Sequence, residues 1–155
     1  MQIQRWQSLL LLIAVVMMGL FSFMSLGTIS TSEYSFDFTA LGFKVMGEYP
    51  DGLKPEGIST WYLFAVSILT AVLPLIAIFS YNKYKLQRTL CLIECLMLAC
   101  VIIICASLAY FVVDGGVVVW SSLICAPMLS LIAVIMAYNR ICADHKTIES
   151  IGRIR

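Results

Sequence analysis

Charge is what this chain has least of. Only 12% of its 155 residues are Asp, Glu, Lys or Arg, where an ordinary globular domain carries about a quarter. Ten basic and nine acidic residues leave a net charge of +1, so no basic footprint for nucleic acid is present. Histidine is nearly absent: His145 stands alone, close to the C-terminal end. The six cysteines, at 91, 95, 100, 105, 125 and 142, contain no Cys-x-x-Cys. The sequence therefore supports neither a zinc site nor a bis-histidine haem. At 100° per helical residue the four cysteines between 91 and 105 point in several directions and cannot converge on one ion. They read as small buried apolar groups, the usual role of free cysteine. Paired cysteines at an outer surface are missing, which argues against a four-helix disulfide-generating enzyme. Nor is there a Gly-rich phosphate loop, a Ser/His/Asp set or a metal-binding pair of acids. The sequence points to no enzyme and to no cofactor.

What is abundant is apolar length. Hydrophobic residues make up 61% of the chain and the mean hydropathy is +0.97. Four runs, about 6–26, 61–80, 90–113 and 117–138, each approach the roughly 20 apolar residues that cross a bilayer. Lipid offers the backbone no hydrogen-bond partners, so spans of this length are helices. The first run has some marks of a signal peptide: Arg5 before it, Ser25 and Gly27 after it. It exceeds the usual apolar core of about 7–15 residues, and reads as a retained helix.

Charge placement gives the threading. Arg5, Lys83, Lys85, Arg88, Arg140, Lys146, Arg153 and Arg155 fall on one side, and only Lys44 and Lys54 on the other. The positive-inside rule puts the first side in the cytoplasm. Both termini, the loop 81–89 and the tail 139–155 are then cytoplasmic, and the loop 27–59 is external. Trp6, Trp61, Tyr81, Tyr110, Trp120 and Tyr138 lie near span ends, where interfacial aromatics belong.

The external loop is too long to be a mere connector. Tyr34, Phe36 and Phe38 alternate with Ser35, Asp37 and Thr39, a period of two that predicts a strand. Gly42 followed by Phe43-Lys44-Val45 predicts its return partner, hence a small β-hairpin. "YPDG" (49–52) and "KPEG" (54–57) read as turns. Asp114-Gly115-Gly116 reads as a tight connection between antiparallel third and fourth helices. The predicted fold is thus an all-α membrane protein, a four-helix transmembrane bundle with a hairpin in its external loop.

Two phrases recur. Gln4-Arg5 precedes the first run and Gln87-Arg88 the third, while "LIAIFSYNK" (75–83) resembles "LIAVIMAYNR" (131–140). Each of the latter has a proline upstream, Pro74 and Pro127. Two readings stand: halves related by an axis along the membrane normal, or convergent chemistry at the interface.

One acid interrupts the third run. An intramembrane carboxyl is by default a functional-site hypothesis. Glu94 follows Arg88 by six residues, roughly 9 Å, and has no base three or four residues away. Its partners must come from elsewhere, with Gln7, Tyr81, Tyr138 and Arg140 at similar depth. Either these form a buried polar clasp that fixes helix register, or Glu94 binds an ion or proton.

These stretches together resemble a bacterial family, domain of unknown function 4293. Its members open with a Met-Ile-Gln-Arg-Ile-Gln type of start before a leucine-rich helix, here "MQIQRWQSLLLL". They carry basic residues before Leu-Gln in the middle loop, here "YNKYKLQRTLC" (81–91). They end on an Asp-x-Lys-x-x-x-Ser-x-x-Arg-x-Arg type of tail, here "DHKTIESIGRIR" (144–155). Gly152 stands where a charged residue is common, and the start has one extra residue. The resemblance implies a Gram-negative inner-membrane location and brings no catalytic or ligand residue with it. It directs attention to the tail, where Ile148, Ile151 and Ile154 repeat every third residue beside Arg153 and Arg155. Such a segment fits a short amphipathic helix on an anionic leaflet, a docking peptide, or a disordered basic end.

The functional expectation is a multi-pass inner-membrane protein in contact with the bilayer. It acts as a non-enzymatic accessory or scaffold subunit, with a protein partner held by the external loop or the tail. The alternative is a small ion- or proton-coupled transporter using Glu94.

Overall fold

The structure is a computed structural model that describes residues 2–30, 35–46, 59–80, 83–112 and 117–152. Helix α1 (Gln2–Phe23) leads into strands β1 (Ser25–Ser30), β2 (Ser35–Thr39) and β3 (Gly42–Met46). Helices α2 (Trp61–Phe79) and α3 (Tyr84–Val112) follow. Strand β4 (Val117–Trp120) and a 3-10 turn (Ser122–Cys125) then precede helix α4 (Ala126–Gly152). The helices pack in a ring, α1 and α3 each lying between α2 and α4.

The ring is held along one seam per helix. On α1 the buried positions include Gln7, Leu11, Ala14, Met18 and Phe21. On α2 they are Leu63, Ser67, Thr70, Pro74 and Ala77. On α3 they are Gln87, Cys91, Glu94, Leu98, Val101 and Cys105, and α4 adds Ser130, Val134, Ala137 and Ile141. Steps of four and three alternate, a mean of 3.5 residues, which keeps one face of each helix turned inward as in left-handed bundles.

The inside is more polar than the outside. Among the described residues, seven polar side chains are buried on the four helices, Gln7, Ser22, Ser67, Thr70, Gln87, Glu94 and Ser130. Outward, Phe79 is 80% exposed, Leu96 68% and Ile103 64%. A protein in water does the reverse. Four helical segments, Trp6–Phe23, Trp61–Phe79, Tyr84–Leu108 and Ser122–Asp144, are long and apolar enough to cross a membrane. Small and hydroxyl-bearing seams with apolar outer faces are what helix packing in lipid selects.

The expected hairpin is present, with Phe36 opposite Val45 and Phe38 opposite Phe43. Gly42 holds φ at 156°, a conformation that side-chain-bearing residues rarely adopt. The hairpin is half of a larger object. β1 pairs antiparallel with β2, and β4 pairs antiparallel with β1, which completes a four-stranded sheet of order β3-β2-β1-β4. Phe38 stacks on Phe43 at 4.8 Å and meets Trp120 edge-on at 6.3 Å. Thr60, just before α2, donates its hydroxyl to the Ala40 carbonyl at 3.0 Å and ties the hairpin turn to the helix.

The all-α expectation is corrected by this sheet. Val117–Trp120 was expected to open the fourth helix and is instead a strand, so α4 begins at Ala126. Three consecutive valines favour an extended chain, since branching at Cβ fits a pleated surface. Pro127 then sits in the first helical turn, where its missing N–H costs nothing. α1 stops at Phe23 rather than 26. α3 starts at Tyr84, so most of the expected loop 81–89 is helix. α4 runs to Gly152, so most of the expected tail is a continuation of the fourth helix. Tyr34, Tyr81, the turns at 49–52 and 54–57 and the Asp114-Gly115-Gly116 connection lie outside the described residues.

Candidate functional site

Glu94 is 1% exposed, and neither carboxyl oxygen has a hydrogen-bond partner. Because α3 starts at Tyr84, the acid lies ten residues into the helix, about 15 Å at 1.5 Å per residue. It remains six residues past the exposed Arg88 and lies within the apolar span Tyr84–Leu108.

The residues expected to clasp it are engaged elsewhere. Gln7 donates its side-chain amide to the carboxylate of Asp144. Tyr138 accepts from Arg88 Nε at 3.2 Å, with the guanidinium 5.8 Å from its ring centroid. Arg140 is exposed and Tyr81 lies outside the described residues. Two cross-helix ties thus stand at the end opposite the sheet, α1 to α4 and α3 to α4, and neither includes Glu94. Asp144 was not anticipated. Its signal was its place three residues after Ile141, where the α4 seam continues.

A second unpartnered group sits on the facing helix: Ser130 is 0% exposed and its hydroxyl has no hydrogen-bond partner. The other buried hydroxyls described on the helices are satisfied by their own helices. Thr70 donates to the Ser67 carbonyl at 2.8 Å and Ser67 to the Phe64 carbonyl at 2.9 Å. Ser22 donates to the Met18 carbonyl at 2.8 Å and lies 3.0 Å from Ser67 Oγ, a tie between α1 and α2. Sequence reasoning missed Thr70 and Ser130 because serine and threonine in apolar helices are common. The seam spacing that singles them out appears only once all four helices are compared.

All six cysteines are free thiols; Cys91 and Cys105 are buried and Cys100 and Cys125 exposed. Among the described residues no three His, Cys, Asp or Glu side chains come together as metal ligands. Ile148 and Ile151 lie on α4, while Arg153, Ile154 and Arg155 lie outside the described residues.

The sequence model of the family described as domain of unknown function (DUF4293) matches residues 3–154. The chain belongs to this family. No curated protein matches it. A family of unknown function whose member here has four apolar helices fits a membrane protein of unknown activity. The DUF4293 match spans both the helices and the sheet.

Proposed function

We propose that this DUF4293 protein is a multi-pass protein of the bacterial inner membrane. In this reading both termini are cytoplasmic, and it works without catalysis as an accessory subunit that holds partners. The observation that carries this is the length of α4. The helix continues eight residues beyond Asp144, the last position that a described hydrogen bond ties to α1. A rigid helical extension of the bundle, bearing Ile148 and Ile151 and followed by Arg153, Ile154 and Arg155, is a ready docking element for a cytoplasmic protein. The threading rests on the eight-to-two split of basic residues. It is supported by the sheet, which gathers the segments read as external at one end, away from the Gln7–Asp144 and Arg88–Tyr138 ties.

The test is cross-linking in native membranes followed by gentle-detergent purification, full chain against a form ending at residue 145. The full chain should bring down a defined partner that the shortened form loses while its melting temperature is unchanged. Equal capture by both forms sinks the docking role of the extension.

One observation favours a second reading, ion- or proton-coupled transport: the buried, unpartnered carboxyl of Glu94. Reconstituted liposomes decide it. A cation-dependent flux that Glu94→Gln abolishes would replace the accessory reading.

A further inference from the structure

Three ties between neighbouring helices fix what lies level with Glu94. Arg88 meets Tyr138, so on antiparallel helices of equal rise Glu94, six residues on, is level with residue 132. That is between Ser130 and Val134 of the α4 seam. Gln7 meets Asp144, so residue 132 is level with residue 19 of α1, beside Met18. Ser22 meets Ser67, so residue 19 is level with Thr70 of α2. Glu94, Ser130 and Thr70 therefore occupy one layer of the bundle interior.

That layer is rich in uncommitted oxygen. Both Glu94 oxygens and Ser130 Oγ lack partners. Thr70 spends its hydroxyl proton on the Ser67 carbonyl, which leaves the lone pairs of Oγ1 free to accept. Pro74 stands inside α2 and has no N–H, so the Thr70 carbonyl four residues earlier loses its usual helical donor. An accumulation of unmet acceptors in a native interior calls for an occupant.

The charge of the layer selects the occupant. Cys91 and Cys95 are the near titratable neighbours, both on Glu94's own helix. The described parts of α1 from Trp6 onward and of α2 carry no charged residue, and α2 has only Tyr62, at its far end. Cys125, in the 3-10 turn before α4, lies toward the sheet, and on α4 Tyr138, Arg140, Cys142 and Asp144 lie toward the opposite end with Arg88. A lone carboxylate in such surroundings is costly. One positive charge removes that cost; two would overshoot. The donors are all oxygen, which suits a hard ion and not a soft one.

We propose that Glu94, Ser130 and Thr70 form a binding site for one hard monovalent cation, sodium, which exchanges with a proton on the Glu94 carboxyl. Sodium enters as the proton leaves, so the net charge of the layer does not change. The site requires no net transport and stands whether or not the protein docks partners.

Dicyclohexylcarbodiimide tests it, because this apolar reagent modifies buried carboxyls in their protonated form. The full-length protein in detergent is treated in choline chloride or sodium chloride at equal ionic strength, and modification of Glu94 is followed by peptide mass spectrometry. In choline, Glu94 is modified at a rate that falls as pH rises. Sodium slows the reaction several-fold at fixed pH. Ser130→Ala weakens the sodium protection while the rate in choline stays that of the wild type, which also reports that the variant has folded. Glu94 left unmodified in choline, an equal rate in sodium, or full protection in Ser130→Ala would each overturn the proposal.

Discussion

At the scale of single residues, Glu94 and Gln7 are opposite cases, and substitution should separate them. Glu94 leaves no protein partner behind when removed. In sodium-free buffer Glu94→Leu should therefore melt no lower than wild type. Relief of a buried unsatisfied group is worth on the order of 1–3 kcal/mol. A marked drop in melting temperature would reveal a partner and undo that reasoning. Gln7, by contrast, is bonded to Asp144. Gln7→Leu strands a half-buried carboxylate and should cost about 1 kcal/mol in chemical denaturation. Adding Asp144→Leu to it should recover most of that loss. Glu94 was legible in the sequence as an anomaly, since a lone acid in an apolar run stands out. Its surroundings were not, because which residues of the other three helices lie level with it depends on how the helices pack.

Among the elements, β4 shows best what sequence can and cannot tell. The hairpin β2–β3 was legible because its alternation and its turn are local. β1 and β4 were not, because each is continuous in hydropathy with a neighbouring apolar helix and is made a strand by a distant partner. What permits that pairing is Gly27. A Cβ there would stand 3.0 Å from the Val119 carbonyl oxygen and 3.3 Å from the Trp120 ring. Gly27→Val should push β4 away at a cost of about 1–3 kcal/mol. Hydrogen exchange should then quicken at the Val117–Trp120 amides and leave those of α3 near wild type. Unchanged protection of β4 would show that Gly27 is not what admits it. The helical tail had the same kind of illegibility. Its isoleucines signalled a helix, but nothing local said that it would prolong α4 without a break.

For the whole molecule, threading is the firmest expectation and the easiest to check. In a background without the native cysteines, single cysteines at Ser32 and Asp51 should react with a membrane-impermeant maleimide from outside, and those at Lys85 and Ile151 should not. Labelling at 85 from outside would reverse the orientation. The two halves share an order, helix–strand–helix, with β2 and β3 added to the first. The antiparallel pairing of β1 with β4 is what a two-fold axis along the bundle would produce. That pairing also has a mechanical meaning. It joins the two helix pairs by backbone hydrogen bonds at one end, while at the other the described tie between them is a side-chain contact, Gln7 to Asp144. The protein is built like a clothes-peg, with the sheet as its spring and the helix ends opposite the sheet as its jaws. If the halves part, they are expected to part at the jaws, where side chains rather than strands tie them.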